Sequence, residues 1–193
     1  VIDDYAYITT KNGVAIIDIS NPSNPQSLGY ISGTSNLILE DLDIHEDLLA
    51  VAAHEDGVLL YDLSNPSSPS YVSTIETENA WTVDLDDYYM YIADQSTLLF
   101  YYNFEDSYEY SLMAGLELSN AIKDIAVDSN SEYLYVALGS DGVVAIDLMF
   151  NATPQILDTY NTSAMANRLE VFDDNKIAVS DWDDVEVLEL NID

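Results

Sequence analysis

The sequence predicts an all-β fold, a β-propeller of four-stranded antiparallel blades. Three observations carry the prediction. Short apolar runs recur at a nearly constant spacing. No stretch has the period of an amphipathic helix. Asp, Asn, Gly and Pro punctuate the runs where tight turns are needed.

Strands are labelled a to d from the centre of the ring outward. The clearest series, b, is YAYIT (Tyr5–Thr9), LLAVA (Leu48–Ala52), YMYIA (Tyr89–Ala93), YLYVA (Tyr133–Ala137) and KIAVS (Lys176–Ser180), whose starts step by 43, 41, 44 and 43 residues. Series c follows as VAIID, VLLYD, LLFYY, VVAID and VEVLE, short runs suited to strands buried on both faces. Series d (QSLGYIS, SYVSTIE, QILDTYN) is more polar and alternates, as a solvent-side edge strand does. Series a precedes b as EDLDI, WTVDL, KDIAV and RLEVF. Four strands in roughly 43 residues is blade spacing. The chain divides into five repeats, about 1–39, 40–80, 81–122, 123–167 and 168–193, the first and last incomplete. A five-bladed ring made from these repeats lacks most of one a strand and one d strand. The expectation is that either further sequence or another chain supplies them.

DISNP closes strand c at Asp18, and DLSNP closes it at Asp62; Pro25 and Pro69 then open strand d, where a missing N–H costs least. GVAIIDISNPSNP (Gly13–Pro25) and GVLLYDLSNPSSP (Gly57–Pro69) resemble the LVIVD repeat family of bacterial and archaeal propellers, and DGVVAIDLMFNATP (Asp141–Pro154) does so less closely. The third repeat, STLLFYYNFEDSYEY (Ser96–Tyr110), departs from the pattern: it lacks the Gly, the Asp and both Pro. The resemblance implies a propeller, often at the cell surface, and carries no catalytic signature.

The net charge is −32, from 4 basic and 36 acidic residues. Such a chain repels phosphate backbones and anionic lipid, which excludes nucleic acid as a partner. No apolar run approaches the ~18 residues of a membrane span, so no membrane insertion is expected. Without Cys there is no disulfide, thiolate metal site or Cys nucleophile.

Several residues are candidates for function. Asn36, Asn79, Asn120 and Asn167 each precede strand a, where d–a loops crowd the mouth of the axial channel; four amides there suit a small polar ligand or an ion. The bland reading is that Asn serves loop conformation. Tyr101, Tyr102, Phe104, Tyr108 and Tyr110, where the third repeat breaks its pattern, are a candidate interaction patch, with outer-strand packing as the other reading. Asp181, Asp183 and Asp184 are the densest acidic turn and the candidate for weak Ca²⁺, although they lack the Gly of a dedicated calcium loop. Acid pairs at the other a–b turns read as hairpin chemistry. His45 and His54 each open an HED triplet, but strand b separates them by about 17–20 Å, too far for a shared metal. Asn151 and Asn161 are N-glycosylation sequons. No cofactor other than Ca²⁺ is suggested.

The expected function is non-enzymatic: an extracellular or cell-surface structural, assembly or protein-interaction module, whose partner is another protein or itself. The alternative is a ligand- or metal-binding, even enzymatic, propeller using the channel mouth. A cytoplasmic scaffold of a salt-adapted organism also fits the acidity.

Overall fold

The computed structural model describes residues 1–103, 108–128, 132–149, 154–173 and 176–189. Eighteen strands form five antiparallel sheets. The first blade contains β1 (Tyr5–Thr10), β2 (Gly13–Asp18) and β3 (Gln26–Tyr30). The second contains β4 (Asp41–His45), β5 (Leu48–Ala52), β6 (Val58–Asp62) and β7 (Ser70–Ile75). The third contains β8 (Ala80–Leu85), β9 (Tyr89–Asp94), β10 (Thr97–Asn103) and β11 (Tyr110–Glu117). The fourth contains β12 (Asp124–Val127), β13 (Tyr133–Ala137), β14 (Val143–Asp147) and β15 (Gln155–Tyr160). The fifth contains β16 (Arg168–Asp173), β17 (Lys176–Ser180) and β18 (Val185–Glu189). Each blade is a meander with strands in chain order, as expected. The first and last have three strands, and the third begins at Ala80, one residue before the expected boundary. Among the described residues no helix is long and apolar enough to cross a membrane.

The c–d turn is built as its residue types dictate. Asp18 Oδ1 accepts the Ser20 N–H at 2.9 Å, and Asp62 Oδ1 accepts that of Ser64 at 2.7 Å. Asp147 repeats the contact with Met149 at 2.8 Å. The Ser20 side chain and N–H lower the pKa of Asp18, and the Ser64 N–H and side chain lower that of Asp62. Strands c and d then pair with one register shift in each of the first four blades, at Ile16/Ile17, Leu60/Tyr61, Phe100/Tyr101 and Ala145/Ile146. The third blade keeps this bulge although its sequence has lost the motif. The turn residues therefore serve the loop, and packing sets the register.

The core lies between blades. One apolar cluster joins each consecutive pair: Val14 and Ile16 meet Val51 and Tyr61; Val58 and Leu60 meet Met90 and Ile92; Leu98 and Phe100 meet Val136 and Ile146; Val143 and Ala145 meet Ile177 and Val179. Strands b and c are thus apolar on both faces because each face packs on a different neighbour. The d strands lie at the edge of these interfaces: β7 and β11 reach the clusters through Val72, Ile75, Tyr110, Ala114 and Leu116, whereas every residue of β15 is exposed.

Candidate functional site

The inner strands β4, β8, β12 and β16 are each paired on one side only, so their other edge points unpaired N–H groups toward the axis. Carboxylates one blade behind accept these groups. The Val83 N–H donates to Asp41 at 3.3 Å and the Leu85 N–H to Asp43 at 2.9 Å. The Val127 N–H donates to Asp84, and the Leu169 N–H to Asp124, each at 2.7 Å. The Thr82 hydroxyl also donates to Asp41. Donor and acceptor lie 42 to 45 residues apart, one repeat length. An acid on an inner strand therefore acts as a strap between blades.

The straps surround a cavity of about 630 Å³, lined by Asp41, Asp43, Asp84, Asp124, Arg168 and Glu170 among others. Burial pushes the Asp84 carboxyl up to about 8, and the Asp43 charge beside it adds to the rise. Asp124 is pushed up to about 6 by burial, against the pull of the Leu169 N–H and of Arg168, whose Nη1 lies 3.2 Å away. Asp41 is also raised by burial, although the Thr82 and Val83 bonds and Arg168 oppose it. One of only four basic residues in the chain, Arg168, thus stands in this acidic cavity, where it compensates carboxyls that four unpaired N–H groups have drawn inward.

Above this wall, Trp81 occupies a bulge between the paired positions Ala80 and Thr82. Its ring packs 5.4 Å from that of His54, and Lys123 Nζ lies 5.3 Å from its centroid. His54 Nε2 is 2.7 Å from Glu40 Oε1, so side chains from three blades meet here.

The four Asn do not line this cavity. Asn36 is exposed, with φ +70°, the left-handed conformation that Asn tolerates. The Asn79 N–H is held by Asp94 Oδ1 at 2.7 Å. Asn120 donates to Ser140 Oγ at 2.9 Å and to Asp141, and Asn167 donates to the Met165 carbonyl at 2.8 Å. Of these side chains Asn167 bonds within its own loop, whereas Asn120 reaches the b–c turn of the fourth blade; the polar groups that line the axial cavity are carboxylates instead. Series a carried the signal for them, Asp or Glu inside strands that should be apolar, but the partners lie one blade away.

The aromatic run packs rather than projects. Tyr101 is buried, and Tyr108 and Tyr110 pack on the cluster between the second and third blades. Tyr102 lies against Tyr88 and Tyr89 at ring distances of 6.4 and 5.0 Å. Phe104 lies outside the described residues. Outer-strand packing, the other reading of this run, is what the geometry fits.

In the acidic turn of the fifth blade, the clustered oxygens are those of Asp181, Asp184 and Glu186, within 4.8 Å of one another; Asp183 is not among them. Asp181 Oδ1 already accepts the N–H groups of Asp183 and Asp184, both at 2.8 Å, which lower its pKa to about 2. Its Oδ2 accepts Ser163 Oγ and the Ala164 N–H. Asp181 is thus the anchor of a loop. The a–b turns are similar: Asp86 Oδ1 accepts the N–H groups of Tyr88 and Tyr89, and its Oδ2 the Tyr91 hydroxyl at 2.7 Å. His45 stands apart from His54, 3.0 Å from Asp87. Asn161 is exposed, and Asn151 lies outside the described residues.

Sheet order and inner-strand geometry define a β-propeller. The family model for the LVIVD repeat matches residues 1–32 and 38–77, the first two blades. The first two blades thus carry LVIVD repeats, as their DISNP and DLSNP motifs implied. Similar solved structures include the computationally designed Ika4 protein (TM-score 0.67, 13% identity, 86% of this chain and 99% of that one). A functionally unknown protein from Desulfotomaculum acetoxidans DSM 771 is similar with a TM-score of 0.78, 14% identity, and coverage of 97% of this chain and 62% of that one. The Cps50 (Swd1) β-propeller domain of Myceliophteria thermophila is similar at 0.72 and 10% identity, over 97% of this chain and 65% of that one. This chain therefore spans less than two thirds of both natural structures. At these identities the likeness is one of fold. No curated protein matches the chain in sequence.

Proposed function

We propose that this propeller is a non-enzymatic module of protein interaction and assembly, acting at the cell surface or outside the cell. The observation that carries the reading is the outer rim. Leu112 and Met113 on β11, Ile156 and Leu157 on β15, and Tyr71 on β7 are exposed, on a chain whose net charge is −32. Apolar side chains within such an acidic field suit a partner with an apolar centre and a basic border. The outer edges of β7, β11 and β15 are also unpaired among the described residues and open to strand addition. The location rests on the LVIVD repeats and agrees with the exposed sequon at Asn161.

A photo-crosslinking residue placed at Leu157 in producing cells is expected to trap a discrete protein adduct. The same probe in I156D is expected to lose it, and protease added to intact cells should remove the domain. Labelling no stronger than at an exposed acidic control such as Asp56 sinks the interaction reading, and protection from protease sinks the location.

The carboxyl-lined axis favours a second reading, a cation held there. Ca²⁺ or Mg²⁺ is then expected to raise the melting temperature of the wild type and not of D43N/D84N. Equal shifts in both proteins exclude the axis as the site.

A further inference from the structure

Asp86 and Asp128 hold equivalent places at the a–b turns of the third and fourth blades. Each backbone N–H donates at 3.0 Å to the carbonyl of the first tyrosine of strand b, Tyr89 or Tyr133. Each Oδ1 accepts the N–H of that tyrosine and of the residue before it. The distances are 2.8 Å to Tyr88 and 2.7 Å to Tyr89 in the third blade, and 2.7 Å to Glu132 and 3.1 Å to Tyr133 in the fourth. Two residues further along strand b, Tyr91 and Tyr135 are equivalent too. They pair with Phe100 and Ala145 on strand c, and with Asp84 and Ala126 on strand a. Each ring lies in the cluster shared with the following blade.

The two blades differ in the use of the second carboxylate oxygen. In the third, Asp86 Oδ2 accepts the Tyr91 hydroxyl at 2.7 Å. In the fourth, Asp128 is 2% and Tyr135 3% exposed, and both Asp128 Oδ2 and the Tyr135 hydroxyl are closed off from solvent. Among the described residues neither atom has a hydrogen-bond partner. The difference starts in the sequence. Asp128 precedes Tyr133 by five residues, whereas Asp86 precedes Tyr89 by three. The ring of Phe100, which meets that of Tyr91 edge-on at 5.8 Å, has only the methyl of Ala145 in its place. Burial raises the Tyr135 hydroxyl to about 12, and the Asp128 charge adds to the rise, so the carboxylate stands near the hydroxyl without bonding to it.

We propose that a single buried water molecule bridges Asp128 and Tyr135, accepting the Tyr135 O–H and donating to Asp128 Oδ2. Two requirements fix the occupant. A buried polar atom left unpaired is costly, and here one is a donor and the other an acceptor. The occupant must therefore accept one hydrogen bond and donate another, and it must fit a site closed to solvent. Water meets both requirements, with the two polar partners that a buried water needs. A metal cation would serve the carboxylate and give the O–H nothing to donate to. The water restores in the fourth blade the link that Asp86 and Tyr91 make directly in the third.

The test is a high-resolution crystal structure of the wild-type protein, joined to thermal melts of Y135F and Y91F. The expected density is one ordered water within hydrogen-bond distance of both Asp128 Oδ2 and the Tyr135 hydroxyl. A direct Tyr135–Asp128 bond, a protein atom or metal ion in that place, or no density there overturns the proposal. The melts read the same site through energy. Y91F removes a direct bond and should lower the melting temperature. Y135F takes away the water's donor and should lower it in the same direction, since a bridging water holds two groups nearly as well as a direct bond. An orphaned hydroxyl predicts the reverse: its removal would leave the melting temperature unchanged or raise it, and that result overturns the bridge. The density needs no substitution, so it decides the matter even where Y135F disturbs the fold by circular dichroism.

Discussion

Gly142→Ala is expected to lower stability by on the order of 3–4 kcal/mol. Gly142 ends the b–c turn of the fourth blade with φ +76°. A Cβ there would stand 2.0 Å from the Tyr160 carbonyl oxygen and 2.8 Å from Asn161 Cα, both backbone atoms. Neither can give way without displacing the end of β15. Gly57 holds the equivalent place in the second blade, with the Ile75 carbonyl oxygen 2.3 Å from its would-be Cβ. At both glycines the exit of strand d passes over the residue that precedes strand c, whereas at Gly13 the nearest neighbour is the Thr34 side chain. Gly139 separates the two causes. Its φ is +58°, but an added Cβ would meet only side chains, at 3.6 Å or more. Gly139→Ala should therefore cost about 1 kcal/mol, the conformational strain alone. Urea denaturation of the three proteins checks this. Equal losses at both positions would show that the backbone contact at Gly142 contributes nothing.

What the sequence makes legible follows from how far each residue reaches. Leu60, Val143 and their equivalents are apolar on both faces of a strand, and that pattern alone marks them as buried. Asp18 and Asp62 bond two residues along the chain, so local turn chemistry reveals them. The axial straps work otherwise. Asp84 reads as an ordinary acid in series a, and its role appears only when Val127, 43 residues on, presents an N–H to it. The repeat length held this information, since every strap spans one period, but a reading confined to single strands passes over it. Asn36 and Asn120 recur at the same place in the repeat, and recurrence in a repeat protein first reports a shared loop. The aromatic run in the third blade admits both a contact patch and packing in sequence; in the fold Tyr101 faces the preceding blade, where strand alternation places it.

Asp84→Asn is expected to stabilise the protein above neutral pH and to flatten its response to pH. Burial, aided by the charge of Asp43, raises Asp84 from 3.8 to about 8. Between those values the folded protein keeps a proton on Asp84 that the unfolded chain releases. The contribution to stability is therefore fully present below pH ~4 and is lost as pH rises through about 8. Asp124, raised from 3.8 to about 6, acts in the same direction over a lower window. The protein should thus gain stability on mild acidification from pH 8.5 to 5. The carboxylates with lowered values, such as Asp181 at about 2, lose their contribution only below pH ~4, where the gain reverses. General repulsion among 36 acidic residues also eases on acidification, so the trend in the wild type alone does not identify Asp84. Two comparisons do. High salt screens the exposed charges far more than the buried pair, so the local part of the trend persists in 1 M NaCl. Asn at position 84 keeps an oxygen for the Val127 N–H and offers an amide donor to Asp43, replacing the proton that Asp84 must otherwise retain. At pH 8.5 the gain over wild type should be on the order of 1–3 kcal/mol, less than the full shift implies because a charge-assisted bond to Val127 is given up. At pH 5 Asp84 is protonated in the folded protein but ionised in the unfolded chain, so a smaller gain remains, and the two proteins converge only below pH ~4. Thermal melts at both pH values and both salt concentrations measure this. A D84N protein less stable than wild type at pH 8.5 would mean that Asp84 is held as a carboxylate, and that the axis favours the negative charge that burial alone would expel.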